Sequence, residues 1–299
     1  MARIEKKKDV VIVGLGWTGS IAGMELAAEG LEIVALERGG DQNTVPEFKY
    51  PNQIDELTYG VRLKNMQLPR QATVTVRRHD GEIALPYRSM GSFLPGNGVG
   101  GAGTHWNGLN WRPQAEEIKL RTYVKEHWGE SIIPEGMNLM DYPVSYDELE
   151  PFFTRFDEVA GISGKAGNLK GQIQAGGNPF EGWRSKEYPM PPLPSTYDST
   201  KFAAVAKQMG YHPFPAPAGI ASTSYVNPYG MQMAPCNFCG FCERFGCYQY
   251  SKSSPQTAVL DALKRKKNFS YRTHCEVLRV ESSEDGKTAT GVTYFDSNT

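Results

Sequence analysis

The hydrophobic pattern of the first forty residues changes period twice. Asp9-Val-Val-Ile-Val13 is an unbroken apolar run and predicts a buried strand. Ser20 to Glu29 carries its apolar residues at helical spacing, and Leu31 to Leu36 returns to a strand. Strand, glycine turn, helix and strand together form a βαβ pattern, so the fold class expected is α/β. Residues 40–80 are polar and mixed, and predict loop, a short helix over Asp55–Lys64 and a β segment over Ala72–Arg78. Residues 88–112 hold Gly91, Gly96, Gly98, Gly100, Gly101, Gly103 and Gly108, a long glycine-rich loop. Helical spacing recurs over Ala115–Glu126, Tyr146–Ala160 and Lys201–Gly210, between proline-rich connections such as Pro189–Pro194. Residues 212–235 are rich in Pro, Ser and Tyr and predict a surface loop. Pro255–Lys267 predicts a helix, and Ser270–Glu281 and Gly291–Asp296 alternate as two strands joined by Ser-Glu-Asp-Gly-Lys.

Length and composition narrow the class without changing the picture. A chain of 299 residues has room for one large or two ordinary domains. The 39% hydrophobic and 22% charged content is that of a globular chain, and no stretch reaches the roughly 20 apolar residues of a membrane-spanning helix. A net charge of −1 gives no basis for capture of nucleic acid. Lys6, Lys7 and Lys8 precede an apolar run that Gly14, Gly16 and Gly19 interrupt, which predicts a strand and turn rather than an export signal. The chain stops at Thr299 directly after a strand, so it is expected to be the first part of a longer protein.

The first candidate chemistry lies in that turn. Gly14-x-Gly16-x-x-Gly19 follows a strand and opens a helix, and Glu37 ends the next strand. Such glycines allow a tight turn, close approach of a pyrophosphate and close packing of helix on strand. The helix N-terminus favours phosphate charge, and the acidic residue accepts from ribose hydroxyls. This motif predicts a dinucleotide site and does not separate FAD from NAD.

The second lies in the cysteines. Four of the five, Cys236, Cys239, Cys242 and Cys247, fall within twelve residues, a clustering that points to a metal centre rather than to disulfides. The spacing C-x2-C-x2-C-x4-C lets thiolates converge from one tight loop, as in ferredoxins. Gly240 and Gly246 are expected to supply bends, and Phe238, Phe241 and Phe245 to shield the centre from water. Zinc is the competing metal, although zinc sites usually set two C-x2-C knuckles well apart, whereas this is one continuous run. Cys275 stands apart and is expected to be a buried thiol.

The segment Gly96-Asn-Gly-Val-Gly-Gly-Ala-Gly-Thr-His-Trp-Asn-Gly108 resembles the second glycine loop of the glucose–methanol–choline oxidoreductases. This resemblance decides for FAD. It implies a Rossmann-like FAD-binding domain with an inserted substrate domain, and FAD contacts at Gly14, Gly16, Thr18, Gly19, Glu37 and Arg38. It implies further contacts at Gly98, Gly100, Gly101, Gly103, Thr104, His105, Trp106, Asn107 and Gly108, and a backbone contact to adenine at Val277. In some relatives the histidine of a Thr-His-Trp sequence is bonded covalently to the flavin, which makes His105 the candidate tether; the alternative is a histidine hydrogen-bonded near the flavin. With the cysteine run, the resemblance narrows to the flavoprotein subunits of gluconate 2-dehydrogenase and related membrane-bound sugar and polyol dehydrogenases.

Several expectations follow from that resemblance. Residues 1–112 are the first part of the FAD domain, 113–235 a partial substrate domain, 236–250 an iron–sulfur loop and 251–299 the returning FAD segment. An alcohol group of a sugar acid, sugar or polyol is oxidised, and electrons pass from FAD through an iron–sulfur cluster, 3Fe–4S favoured over 4Fe–4S, to a multihaem cytochrome c subunit and quinone. The catalytic base is expected beyond Thr299, since none of His79, His105, His127, His212 and His274 has a matching context, and the chain alone is expected to be inactive. Co-export with a small signal-bearing subunit would place the complex on the periplasmic face of the membrane; a cytoplasmic enzyme is the alternative. Two further functions stay open: a flavin oxidase with structural cysteines, and a noncatalytic flavin and iron–sulfur electron-transfer subunit.

Overall fold

The computed structural model describes residues 4–45, 47–48, 66–67, 74–77, 79, 81–87, 95–243 and 245–298. The helix expected over Asp55–Lys64, Gly91 and part of the segment Ala72–Arg78 lie outside the described residues. The chain divides into two compact units. One comprises 1–67, 93–108 and 224–299; the other comprises 68–92 and 109–223. The cysteine run therefore falls inside the first unit, with both glycine loops.

In the first unit, β1 (Val10–Val13), α1 (Trp17–Ala28) and β2 (Ile33–Leu36) form the expected βαβ unit. β1 pairs in parallel with β2, Val10 against Ile33 through Val13 against Leu36. The third strand, β3 (Phe269–Arg272), arrives from the far end of the chain and pairs in parallel with β2, giving the order β1-β2-β3. Asn268 fixes that return: its side-chain amide donates to the carbonyls of Ala27 at 3.0 Å and Leu31 at 2.8 Å, closing the α1–β2 turn. Ile12, Leu15, Met24, Ala27, Ile33, Leu36, Val99, Leu260, Leu263 and Phe269 make the core.

The sequence predicts one strand over Ser270–Glu281, but the structure breaks it. His274 has φ 57°, a left-handed conformation that no strand continues through, and separates β3 from β4 (Cys275–Ser282). β4 and β5 (Ala289–Asp296) form an antiparallel hairpin, Cys275 opposite Asp296. The helix expected over Pro255–Lys267 is also shorter and irregular: Gln256–Leu260 is a π-turn, followed by α-helix only over Asp261–Leu263.

The second unit is built around α2 (Tyr146–Ala160), started by a capping box in which Ser145 and Glu148 bond each other's backbone. Its inner face is polar. Asp157 accepts from Arg112 at 2.6 Å and Arg184 at 2.5 Å, and Arg112 also donates to Glu150 at 3.2 Å. These groups are almost fully buried, and Arg184 lies 3.7 Å from the Tyr188 ring centre. The expected helix over Ala115–Glu126 splits into Ala115–Ile118 and Leu120–Trp128, and α3 (Tyr197–Gln208) begins at a Thr196 cap. Among the described residues no helix is long and apolar enough to cross a membrane.

Candidate functional site

A cleft of about 360 Å³ opens at the carboxyl ends of β1 and β2, the place where open α/β sheets bind ligands. Gly14, Gly16, Glu37, Arg38, Gly98, Gly101 and Val277, all named from sequence, line it, together with Gln67, Gly96, Cys275 and Glu276. Thr18 is exposed, and Gly19, Gly100, Gly103, Thr104, His105, Trp106, Asn107 and Gly108 are not among the lining residues.

Each glycine of the first motif does a different job. Gly14 turns the chain at φ 86°, a conformation that penalises a side chain. Gly16 precedes α1 with space around it: a Cβ there would have no atom nearer than Gly100 O at 3.9 Å. Gly19 packs helix on strand, since its Cβ would stand 2.2 Å from Gly14 O. No side chain caps the first turn of α1 and no acidic residue occupies it, so its N–H groups and dipole face the cleft side of the turn without a competing carboxylate.

Glu37 is buried at 8% exposure, and its carboxylate holds the rim together. One oxygen accepts from Leu15 N–H and the other from Gly39 N–H, both at 2.9 Å. The backbone of Glu37 in turn links β3 to the hairpin: its N–H donates to Arg272 O and its carbonyl accepts from Cys275 N–H, each at 2.9 Å. A carboxylate oxygen has a second lone pair, so these bonds leave acceptor capacity for a ribose hydroxyl.

The second glycine loop is docked on the first. Gly100 N–H donates to Leu15 O at 2.7 Å and Val99 N–H to Gly40 O at 3.0 Å. Gln256, which no sequence motif flagged, clasps it from behind. Its fully buried amide donates to Val99 O at 2.8 Å and lies 3.1 Å from the Thr104 hydroxyl. The pocket against Gly100 is filled by this amide, 2.4 Å from where a Cβ would stand. Gln256 opens the π-turn, and a long polar residue directly ahead of the apolar run Ala258-Val259-Leu260 was the available sequence signal.

His105 is 5% exposed, and its Nε2 is buried without a hydrogen-bond partner. Burial lowers its pKa, and the positive charge of Lys252 lowers it further, so the imidazole is held neutral. A buried neutral ring nitrogen with nothing to bond fits attachment or hydrogen bonding to a flavin. Next to it, the Trp106 ring meets Trp17 edge-on with centroids 6.2 Å apart, and its N–H donates to Ser253 O at 2.7 Å.

The cysteine loop is irregular and its four thiols are free. Phe238 N–H points to Cys236 Sγ at 3.3 Å and Lys252 N–H to Cys247 Sγ at 3.4 Å, the kind of N–H···S contact that tunes iron–sulfur centres. Burial pushes the Cys242 thiol up to about 11, opposed by Lys252, and raises Cys236 as well. Among the described residues no three His, Cys, Asp or Glu side chains converge on one metal ion. The donor chemistry fits a thiolate-held group. Two sequence expectations are corrected here. Phe238 is 55% exposed at φ 59° and does not shield the thiols, leaving Phe241 and Phe245, which meet edge-on at 5.6 Å. Gly246 is required by contact rather than by a bend, since a Cβ would stand 2.3 Å from the Phe48 ring, whereas Gly240 does turn the chain at φ 82°.

Lys252 is 1% exposed and its ammonium donates to three carbonyls, Trp106 O at 2.6 Å, Phe245 O at 2.6 Å and Cys242 O at 2.8 Å. Burial pushes its pKa down to about 8, opposed by the nearby cysteines Cys242, Cys247 and Cys239. No sequence motif marks it.

Comparison with known proteins bears directly on this arrangement. The chain is 46% identical over 294 residues to the gluconate 2-dehydrogenase flavoprotein of Pantoea cypripedii, covering 97% of this chain and 48% of that protein. The resemblance to the gluconate 2-dehydrogenase flavoproteins holds along the chain. The large subunit of fructose dehydrogenase from Gluconobacter japonicus is 25% identical over 223 residues, covering 73% of this chain and 37% of that protein. An FAD-dependent oxidoreductase from Chaetomium thermophilum superposes with a TM-score of 0.49 at 14% identity, covering 98% of this chain and 42% of the other. No family model matches. The chain spans about half the length of the gluconate 2-dehydrogenase flavoprotein and less of the others.

Proposed function

We propose that this chain is the FAD-binding part of a flavoprotein dehydrogenase that oxidises an alcohol group of a sugar acid, sugar or polyol, and that its cysteine loop carries an iron–sulfur cluster. One observation carries the proposal: the identity with the gluconate 2-dehydrogenase flavoprotein runs over 97% of the chain rather than stopping at the dinucleotide turn that many flavoproteins share.

The residues divide the work physically. The first turn of α1 and the glycines at 14 and 16 bring backbone N–H groups up to a pyrophosphate, and Glu37 offers its remaining lone pairs to ribose hydroxyls. The glycine loop over 96–108 lies on Leu15 and Gly40 and presents backbone without side chains. His105, held neutral, offers its unpartnered Nε2 to the flavin, as a covalent tether or as an acceptor. Bound flavin would supply hydride acceptance and one-electron transfer, chemistry that belongs to the cofactor. Three of Cys236, Cys239, Cys242 and Cys247 would hold a 3Fe–4S cluster, and all four a 4Fe–4S cluster; the ligating thiols must lose their protons, which the high pKa of Cys242 makes a cost of loading there. The cytochrome c and small signal-bearing partners, and the periplasmic location, belong to the same proposal.

The test uses the full reading frame that contains this chain, expressed with its neighbouring subunits. Anaerobic bleaching of the flavin by gluconate, sorbitol or fructose is the expected result. Electron paramagnetic resonance of the air-oxidised protein should show a signal that vanishes on dithionite reduction, as a 3Fe–4S centre does. Flavin that stays oxidised with every such alcohol would sink the dehydrogenase assignment. Rapid reoxidation by oxygen with peroxide release, and no iron, would favour an oxidase with structural cysteines. Flavin lost entirely on acid precipitation would remove the tether at His105.

A further inference from the structure

Lys252 sits between the two elements to which the proposed function assigns cofactors, and neither assignment uses it. Its ammonium has three hydrogens and no acceptor, and three carbonyls receive them within 2.8 Å. Two of those carbonyls, Cys242 and Phe245, belong to the cysteine loop; the third, Trp106, is the residue after His105. The backbone N–H of Lys252 points at Cys247 Sγ, so the same residue touches the loop a third time. Ser253 grips Trp106 from its other end, accepting from the indole N–H at 2.7 Å. Trp106 is therefore held at both carbonyl and ring by consecutive residues.

We propose that Lys252 is a positioning residue that fastens the cysteine loop to the His105–Trp106 end of the glycine loop through the carbonyls of Trp106, Cys242 and Phe245, making the flavin and cluster sites one mechanical and electrostatic unit. The proposal rests on the assignment of flavin to the glycine loop and a cluster to the cysteine loop. Two features of the surroundings single out a lysine. The cysteine loop has little regular structure, and two charge-assisted bonds into it with a third to Trp106 O tie it to the glycine loop. The buried ammonium lies 2.8 Å from Cys242 O and 2.6 Å from Phe245 O, and a positive charge seated in the cysteine loop favours a more negative, reduced cluster over an oxidised one. A methionine fills the same volume and makes none of these bonds.

The experiment compares the intact flavoprotein complex with its Lys252→Met and Lys252→Arg variants. Hydrogen exchange is followed over two segments, 236–249 and 104–108, with iron and flavin content and the cluster potential measured alongside. Lys252→Met should speed exchange in both segments by tenfold or more, lower iron retention, and shift the cluster toward its oxidised form by about tenfold, a fall of 59 mV for one electron. Lys252→Arg keeps the charge but fits three converging carbonyls poorly. It should restore most of the potential and only part of the exchange protection. Unchanged exchange in either segment of Lys252→Met overturns the proposal. If Lys252→Met does not accumulate, Lys252→Arg decides: exchange over 236–249 and 104–108 equal to that of the native protein overturns it. A native complex that contains no iron would sink the cluster assignment instead, and the two-segment exchange would still decide whether Lys252 ties the loops together.

Discussion

Alanine at Gly19 and alanine at Gly16 are the same chemical change three residues apart, and the structure gives them different outcomes. At Gly19 the new Cβ would lie 2.2 Å from Gly14 O and 3.1 Å from the Ile12 side chain. That is about 0.8 Å inside the 3.0 Å limit of real contacts, and the obstructing atom is backbone, so no rotamer relieves it. Helix propensity alone favours the change by about 1 kcal/mol. Overpacking typically costs about 1–3 kcal/mol, and a clash with fixed backbone belongs at or beyond the top of that range. The clash wins by about 2 kcal/mol, a fall of about 3 °C in melting temperature for a chain of this size. At Gly16 the nearest atom to a Cβ is 3.9 Å away, and φ is −86°, open to any residue. The fold loses at most about 1 kcal/mol there, because alanine is a poorer N-cap than glycine. The methyl group instead projects where the pyrophosphate would lie, so flavin affinity should fall at least about tenfold, or about 1.4 kcal/mol. Urea unfolding of the apoprotein by tryptophan fluorescence and flavin titration measure the two effects separately. The reasoning fails if Gly16→Ala destabilises the apoprotein as much as Gly19→Ala, or if it leaves flavin affinity unchanged.

Other changes test other parts of the structure. Gln256→Leu leaves Val99 O and the Thr104 hydroxyl without their buried partner and should cost about 2–4 kcal/mol in urea unfolding, with weaker flavin binding. Asp157→Ala leaves the buried Arg184 guanidinium without its carboxylate and Arg112 with Glu150 alone, and should cost about 3–5 kcal/mol; Lys186→Ala, whose partner Glu158 is reached on the surface at 2.8 Å, should cost under about 1 kcal/mol. The folded-state pKa of His105 lies below its ordinary 6.5, so the unfolded chain binds the extra proton. Its stabilising contribution is complete above about pH 6.5 and shrinks as pH falls through that value, and His105→Gln should flatten this part of the pH–stability curve measured by urea unfolding. With Cys242 near 11 rather than 9.0, its thiolate fraction at pH 8 is roughly a hundredfold below that of a free thiol, and alkylation of the apoprotein at Cys242, followed by mass spectrometry, should be slowed to match.

The features legible in the sequence are those that follow from local pattern. Val10–Val13 and Ile33–Leu36 show as apolar runs, Gly14, Gly16 and Gly19 stand at fixed intervals between them, and Tyr146–Ala160 shows the helical spacing of α2. What was not legible depends on partners distant in the chain. The break at His274 exists because its N–H and that of Cys275 bond Gly39 O and Glu37 O, more than two hundred residues earlier. No strand pattern encodes such an acceptor. Gly246 looked like a bend until Phe48 lay against it.

Gln256 and Lys252 show the same limit in its most informative form. Each is a long polar side chain buried to 2% or less, an arrangement that persists only when every polar atom finds a partner, and the partners here are carbonyls of the glycine and cysteine loops. Those loops cannot hold themselves. The glycine loop has few side chains to pack, and the cysteine loop has little regular structure. Burying an amide and an ammonium under them substitutes hydrogen bonds to backbone for the apolar contacts that fix ordinary loops. In this fold residues 252–256 provide that buried polar clasp for both loops.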